Sequence, residues 1–248
     1  AVLFVSEYNN HRVSEFKVST GEHLRSFGSQ GANTSQFKNP RSIVISTSSG
    51  TALMYVADLN NNRVQVFKVE NFEYVRKIDC NIPYGLALLL AANGDELLFI
   101  LEHENHQVKV CNALTGAELR IIGSGAGSGP TQLHYPYDLT VFRDQDGTVL
   151  VFVADYSNHR VQVFNGDTGA HIRSIGKYGA NDGELNTPIS VAVREIKAPN
   201  RQVQLYVGEN TNSGVSIFDA LTGNFIGKLG NGIGAGEGQF HYVWGVSF

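Results

Sequence analysis

The chain has 248 residues, 42% of them hydrophobic, with 27 glycines, 6 prolines and a formal net charge of −4. This composition is typical of a turn-rich globular protein and excludes a fibrous or disordered chain. The mild negative charge disfavours broad phosphate binding, which needs clustered Lys and Arg, although a local basic patch is compatible with it. The longest aliphatic run, 86–92, is far below the roughly 18 residues that a membrane helix requires.

The two cysteines, Cys80 and Cys111, provide neither a disulfide framework nor the spacing of a metal site. A strand unit described below repeats along the chain, and Cys111 occupies a position where the other copies have phenylalanine. We therefore expect Cys111 to be a buried strand residue. The chain opens directly in a strand pattern, without the regions of a signal peptide, which favours a processed product or an excised domain. We expect a soluble protein of unassigned compartment, with the cytoplasm slightly favoured, and the sequon at Asn33 does not settle this.

A unit of three short strands and two turns repeats along the chain. In residues 151–176 an apolar run ends at Asp155, and 160–164 alternates polar and apolar residues with the period of a strand. The glycine-bearing turn 165–169 leads to a third strand. Five segments superpose on this pattern, at spacings of roughly 44 to 54 residues that suit propeller blades. Their carboxylates mark the register: Glu7, Asp58, Glu102, Asp155 and Glu209.

Each unit is completed by a nearly all-apolar strand that usually follows a glycine-bearing loop and a proline. These strands begin at Pro40, Pro83, Pro136 and Pro188, and 243–248 ends the chain with the same pattern. A strand that is apolar on both faces has to be covered on both, as the innermost strand of a propeller blade is. Proline at its start removes a backbone donor that the first strand residue can spare.

The two ends of the chain complement each other, because the first unit lacks an innermost strand and the last residues supply one. Pairing 244–248 with 1–28 closes a ring and removes exposed sheet edges. We therefore predict one domain, 1–248, an all-β propeller of five four-stranded blades with one blade split between the termini. A six-bladed ring is the alternative. The predicted blades are 41–80, 83–123, 136–176, 188–230, and 244–248 together with 1–28.

The unit resembles the NHL-repeat β-propellers, whose signature is a V-A-D-x-x-N-x-R-V-Q-V-F core followed by a glycine-bearing loop that ends in proline. The core is matched by 5–16, 56–67 and 153–164, and the loop by 28–40 and 176–188, so the resemblance covers nearly the whole chain. Most members of that family are six-bladed, and here Gln107 and Gly214 replace the arginine. The single tryptophan and the lack of a Gly-Gly pair disfavour the Trp-Asp and kelch classes.

Three carboxylates are followed five residues later by arginine: Glu7 with Arg12, Asp58 with Arg63 and Asp155 with Arg160. Such pairs suggest acid catalysis or phosphate binding, but their repetition around a ring favours a structural brace. We expect each carboxylate to accept backbone N–H groups of its own turn, with the arginine beside it. Asparagines three residues after each carboxylate suit the same turn.

Eight histidines raise the question of a metal site. Seven occupy repeat-equivalent places, and no pair has the helical or C-x-x-C spacing that makes a zinc prediction strong. His134 and His241 are the exception that we retain, because loops entering the innermost strands converge at the axial mouth of a propeller. We predict no cofactor and no metal ligand set, with a metal at these two histidines as a minor alternative.

Function is expected on the face where the innermost strands begin, because the hairpin loops and the glycine loops both open there. The predicted ligand-binding residues are Arg41, Tyr84, Tyr137, Asp138, Trp244, His134 and His241. Aromatic side chains with one polar end are typical of recognition hot spots. An equally weighted alternative is that these rings fill the channel.

The sequence therefore predicts a non-catalytic, monomeric module that presents this face to a protein or peptide, a role that the resemblance to NHL propellers also implies. The resemblance also implies an alternative, a metal-dependent enzyme similar to the amidating lyase or to propeller hydrolases, which hold calcium or zinc in the channel. RNA binding, as in basic NHL propellers, is disfavoured by the acidic balance. No nucleophile elbow or phosphate-binding loop in a strand-to-helix context is present.

Overall fold

The computed structural model describes residues 1–48, 50–197, 200–230 and 232–248. Its regular elements are nineteen strands and two single 3-10 turns, Leu59–Asn61 and Tyr156–Asn158. The strands form five antiparallel sheets, which confirms the predicted class, an all-β propeller with five blades. No helix in the described ranges has the length and apolar character needed to cross a membrane.

The sheets follow one another along the chain, and the bounds of the second to fifth sheets lie within a few residues of the predicted blades. The first sheet contains β1 (Val2–Glu7), β2 (Arg12–Lys17) and β3 (His23–Phe27). The second contains β4 (Pro40–Ser46), β5 (Leu53–Asp58), β6 (Arg63–Lys68) and β7 (Tyr74–Asp79). The third contains β8 (Pro83–Leu90), β9 (Glu96–Glu102), β10 (Gln107–Asn112) and β11 (Glu118–Ile122).

The last two sheets repeat this arrangement in the second half of the chain. The fourth sheet contains β12 (Leu139–Arg143), β13 (Val149–Asp155), β14 (Arg160–Asn165) and β15 (His171–Ile175). The fifth contains β16 (Pro188–Ile196), β17 (Gln202–Glu209), β18 (Gly214–Asp219) and β19 (Phe225–Leu229). In each four-stranded sheet the strands lie in sequence order, as a meander.

The chain divides into two compact units. The first unit comprises 1–104 and 109–119 and contains the first two sheets and most of the third. Its core includes an aromatic cluster in which Phe27 contacts Phe37 and Phe67 at ring-centroid distances of 5.7 and 4.9 Å. The second unit comprises 105–108 and 120–248, and its core packs Phe152 of β13 with Leu205 of β17.

The most deeply buried strand of a sheet is the second one and not the first. Every residue of β5 and β13 is buried, whereas most residues of β4 and β12 are only partly buried. The second strand has a hydrogen-bonded neighbour on each side, while the first strand forms an edge of its sheet. The expectation that the innermost strand is fully covered is therefore wrong for β4 and β12. Cys111 is buried in β10, as predicted, and both cysteines are unpaired.

The C-terminal segment differs from the predicted fourth strand of the first sheet. That sheet has three strands, and 241–248 contains no strand in the described part of the chain. The segment packs on the fifth sheet instead: the N–H of Val246 donates to Ser190 Oγ at 3.0 Å, and the Phe248 ring lies 4.7 Å from that of Tyr206. Side-chain contacts, rather than a backbone ladder, hold the segment here. Its pairing with 1–28 stays a prediction.

A repeated hydrogen bond nevertheless gives this segment the register of an innermost strand. The N–H of Leu86 donates to Ser42 Oγ at 3.1 Å, and the N–H of Val191 donates to Asp138 Oδ2 at 3.0 Å. Counted from the proline that begins each innermost strand, the third residue accepts, with its side chain, the backbone N–H of the fourth residue of the next innermost strand. The contact of Val246 with the fifth sheet follows the same rule, so the segment occupies the place of a following innermost strand.

Candidate ligand-binding face

The register carboxylates connect the hairpin loop that follows the carboxylate with the loop before an innermost strand. Asp58 is fully buried, and its Oδ1 accepts the N–H of Lys38, in the loop before β4, at 2.7 Å. Its Oδ2 accepts the Arg63 Nε donor at 2.8 Å and the Asn61 amide at 2.9 Å. The geometry is that of the predicted brace, with one correction. The backbone donor comes from the loop before the innermost strand and not from the carboxylate's own turn.

Asp155 repeats this arrangement in the second unit and fixes the backbone of a predicted site residue. Its Oδ1 accepts the N–H of His134 at 2.7 Å, and its Oδ2 accepts Arg160 Nε and the Asn158 amide, each at 2.8 Å. Burial raises the pKa of the Asp155 carboxyl, while the bonds from Asn158 and Arg160 act in the opposite direction. Both oxygens are occupied by structural donors, so this carboxylate serves architecture.

Three histidines close hairpin loops with positive φ and accept a hydrogen bond from the neighbouring loop: His11, His106 and His159. Each Nδ1 accepts a backbone N–H at 2.9 to 3.1 Å, and the donors are, in the same order, Asn39, Tyr135 and Thr187. A backbone N–H only donates, so Nδ1 carries no proton in this arrangement. Asn62 occupies the equivalent position in the second sheet, and its side-chain amide oxygen accepts the N–H of Ile82 at 3.0 Å.

In the first unit the structure brings together two predicted site residues and adds a third. The Arg41 guanidinium lies over the Tyr84 ring, 4.0 Å from its centroid. The His103 ring is stacked on Tyr84 at 4.1 Å with an interplanar angle of 12°. Two groups this close to one centroid have to occupy opposite faces, so Tyr84 is held between a cation and an imidazole.

His103 is a residue that sequence reasoning missed, although the sequence contained a signal for it. It directly follows Glu102, one of the register carboxylates, and Tyr156 directly follows Asp155. Tyr156 packs on Tyr137 at 4.7 Å, just as His103 packs on Tyr84. The position after the carboxylate therefore supports the ring at the start of the innermost strand, and the pattern could have been read from the repeat alignment.

Asp138, predicted to bind a ligand, is a link between two innermost strands. Its Oδ1 accepts the N–H of Leu139 at 2.8 Å, and its Oδ2 accepts both Ser190 Oγ and the N–H of Val191 at 3.0 Å. Charge-assisted bonds of this kind hold a carboxylate in place. Its position beside Tyr137 keeps it at the predicted face, and its observed contacts are structural.

The loop before β12 presents an ordered and exposed tyrosine. Tyr135 is 38% exposed, and its ring stacks on His134 at 5.0 Å and meets the edge of His106 at 4.7 Å. The loop before β16 repeats this feature with Tyr178, which is 68% exposed and lies 4.7 Å from the His159 ring. Tyr178 was absent from the sequence prediction because it lies nine residues before Thr187 and not beside the proline.

Trp244 and His241 lie in the C-terminal segment. Trp244 is 66% exposed, and the His241 ring contacts Tyr242 at 4.6 Å while its carbonyl accepts Ser213 Oγ at 2.9 Å. Within the described residues no three His, Cys, Asp or Glu side chains are arranged to hold a metal ion. The three protein ligands of a zinc site therefore do not come together among these residues, and a calcium site stays a prediction of the family resemblance.

In the first sheet, the hydrogen bond between His23 and Ser26 runs in the wrong direction for nucleophilic catalysis by the serine. Ser14 donates to Glu7, whose pKa is lowered to about 2 by hydrogen bonds from Arg12 and Ser14, so Glu7 only accepts at neutral pH. Ser26, 2.6 Å from Ser14 Oγ, must then donate to it. His23 Nε2, 2.7 Å from Ser26, is left as the donor and cannot act as the base that activates Ser26.

Curated proteins similar to this chain include two amidating monooxygenases, and no protein-family model matches it. The chain is 27% identical over 212 residues to the peptidylglycine alpha-amidating monooxygenase of Rattus norvegicus and 26% identical over 211 residues to that of Mus musculus. These matches cover 80% and 79% of this chain but 20% of each relative. The chain thus spans about one fifth of the length of the relatives it matches.

Solved structures support the fold. The chain is similar to the hydrazine synthase of Kuenenia stuttgartiensis with a TM-score of 0.57 and 17% identity, over 76% of this chain and 48% of that one. It is also similar to the structure of U3-55K with a TM-score of 0.68 and 12% identity, over 98% of this chain and 66% of that one. Identities this low carry the fold alone, and the class they define together with the five sheets is the β-propeller.

Proposed function

We propose that the chain is a recognition module that binds an extended peptide on the face where the innermost strands begin. The observation that carries this proposal is the ordered stack of Tyr135 on His134 and His106. The backbone N–H of Tyr135 is bound to His106 Nδ1, and that of His134 to Asp155, so the exposed ring is fixed before any ligand arrives. Pre-ordered aromatic rings bind at low entropic cost.

The loop before β16, also in the second unit, contains a similar pair of an exposed tyrosine and a hydrogen-bonded histidine. Tyr178 rests on His159, whose Nδ1 accepts the N–H of Thr187 at 3.1 Å. Two exposed rings on immobilised histidines offer apolar area together with a hydroxyl that can bind a peptide backbone. In the first unit, Arg41 packs on Tyr84 and gives the start of the innermost strand β8 a positive charge.

The proposal is tested with the full chain as bait for a random peptide display library. A selected peptide should bind at least about tenfold more weakly to Tyr135→Ala, Tyr178→Ala and Trp244→Ala, the usual cost of removing a hot-spot ring. Leu119→Ala is the matched control, because Leu119 is an exposed apolar residue of β11. Melting temperatures should be unchanged in all variants. Failure to enrich any peptide, or full binding by the tyrosine variants, contradicts the proposal.

A second candidate function is an enzyme that acts on a peptide, and the similarity to the two amidating monooxygenases favours it. The names of these relatives describe an activity on peptidylglycine. Candidate residues at the face are Arg41, Tyr84, His134, Asp138 and His241. Peptides that end in glycine should change mass on incubation with the protein in air if this candidate holds, with and without added zinc or calcium, provided that a two-electron reductant is added, because a monooxygenase consumes O2 and two electrons. Unchanged peptide masses, together with no bound metal in elemental analysis, contradict it.

A further inference from the structure

The first sheet exposes an apolar face that is buried in every other sheet. Leu3 of β1 is 54% exposed, and Val5 is 36% exposed. The residues at the same distances before the register carboxylate are fully buried in the other four sheets: Met54 and Val56, Leu98 and Ile100, Val151 and Val153, and Leu205 and Val207. Contiguous apolar surface of this kind is typical of an interaction site.

Within the chain, a sheet of the same repeat covers the equivalent face. Met54 of the second sheet packs in one cluster with Val13 of the first sheet, and Leu205 of the fifth sheet packs in another with Phe152 of the fourth. The third sheet packs on the second in a further cluster. In each case the covering sheet is the one that precedes in the chain. These internal contacts show which kind of surface the exposed face of the first sheet fits.

The first sheet also has an open edge. Strand β1 is the terminal strand of its sheet, whereas the equivalent strands of the other four sheets are paired on both sides, with an innermost strand on one of them. An edge strand presents backbone N–H and C=O groups to which a further strand can be added. The first sheet therefore lacks both a covering sheet and an innermost strand.

The C-terminal segment, 241–248, has the complementary deficiency. The bond from Val246 to Ser190 holds it on the fifth sheet in the register of an innermost strand, but it belongs to no backbone ladder in the described chain. Its Phe248 is 67% exposed. Beside it, Leu229 of the fifth sheet is 50% exposed, although Ile175, at the same register of the fourth sheet, is buried. The segment is thus an innermost strand without a sheet.

We infer that the first sheet binds a second copy of this chain, whose C-terminal segment adds to the edge of β1 and whose fifth sheet covers the exposed face. In one copy both partners are held by their own neighbours, because Ser6 donates to the carbonyl of Arg41 and Val246 donates to Ser190. Each copy has one segment and one open edge. The smallest assembly that pairs all of them has two copies, and the pairing that the sequence predicts within one chain is made between two.

The four complete sheets specify the register of this contact. The fourth residue from the proline pairs with the residue two positions before the carboxylate: Ile43 with Val56, Leu86 with Ile100, Leu139 with Val153, and Val191 with Val207. By this rule Val246 of one copy lies opposite Val5 of the other. The N–H of Val246 points to Ser190 and away from the added strand. The two valines therefore form a non-hydrogen-bonded pair, in which side chains are close together.

The inference is tested by cross-linking two variants, Val5→Cys and Val246→Cys, which are expressed together with different tags. A close pair across two strands is within reach of a disulfide, so oxidation should give a covalent heterodimer that a reductant separates. Cys80 and Cys111 are buried and do not compete. The matched control replaces Val5→Cys by Leu119→Cys, at an exposed residue of the third sheet, and should give no heterodimer.

Absence of the covalent heterodimer overturns the inference. The double variant Val5→Cys/Val246→Cys distinguishes the remaining alternative, in which the segment pairs with its own chain. It should form a covalent dimer joined by two disulfides. A covalent monomer with an internal disulfide overturns the inference, because the pair would then form within one copy.

Sedimentation velocity gives an independent readout. The wild type should sediment with twice the monomer mass, and Leu3→Asp should weaken the dimer at least about tenfold, because it places a charge in an apolar contact. Leu119→Asp is the control and should remain dimeric. Circular dichroism checks that Leu3→Asp keeps its strand content. A wild type that is monomeric at every concentration, or a folded Leu3→Asp that dimerises as the wild type does, overturns the inference. Tyr135→Ala should leave the dimer unchanged, which separates this surface from the peptide face.

Discussion

Asp138 and Ser190 join the beginnings of two innermost strands, since Ser190 Oγ lies 3.0 Å from Asp138 Oδ2 as its donor. Ser190 is buried and also accepts the N–H of Val246, so one pair of side chains connects β12, β16 and the C-terminal segment. Asp138, which the sequence predicts as a ligand-binding residue, therefore connects strands in this structure. It also makes a prediction about stability.

Asp138→Ala should lower the free energy of unfolding by about 1–3 kcal/mol, because it leaves the N–H of Val191 and the hydroxyl of Ser190 without their acceptor. Urea denaturation measures this change. Asp144→Ala removes a partly buried acceptor of Arg201, which keeps its bond to Glu195, so this variant should cost less than about 1 kcal/mol and is the control. A stability equal to the wild type in Asp138→Ala would show that the link contributes nothing.

His159→Asn should be tolerated and His159→Leu should not. Asn62 performs the same capping in the second sheet with φ of 55°, so asparagine provides both the acceptor and the positive φ. Leucine loses the bond from the N–H of Thr187 and is strained at φ of 53°, which we expect to cost about 1–3 kcal/mol. Thermal unfolding of the two variants beside the wild type measures the difference. Equal losses in both would mean that the imidazole itself, and not its acceptor, is required.

Both cysteines should resist thiol reagents in the folded protein. Burial raises the pKa of the Cys80 thiol, and it raises the pKa of Cys111 to about 11. The thiolate is the reactive form, so at pH 8 only about one Cys111 in a thousand is ionised. Titration with a chromogenic disulfide reagent should detect no thiol in native protein and two thiols in denaturant. Rapid reaction of the native protein contradicts the burial of these strands.

Glu7 should make the stability of the protein depend on pH in the acid range. Hydrogen bonds from Arg12, Ser14 and Asn10 lower the pKa of its carboxyl from 4.5 to about 2 in the folded state. A lowered pKa in the folded state contributes stability above the ordinary pKa and loses it as the pH falls towards 2. Glu7→Gln should therefore flatten the fall in urea midpoint between pH 5 and pH 2. An identical pH profile in wild type and variant would assign the acid sensitivity to other carboxylates.

The sequence by itself determined the repeated architecture. Strand alternation around Asp155, the prolines before the innermost strands and the positive-φ turns are local signals, because they depend on residues only a few positions apart. The blades, the burial of Cys111 and the brace of Asp58 with Arg63 follow from such signals.

Only the tertiary structure decided which groups meet across long stretches of chain. The use of Asp138 by Ser190 and the fixing of Tyr135 by His106 join residues that are 52 and 29 positions apart. Such contacts depend on how strands of different sheets are placed in space, and a one-dimensional pattern does not contain those distances.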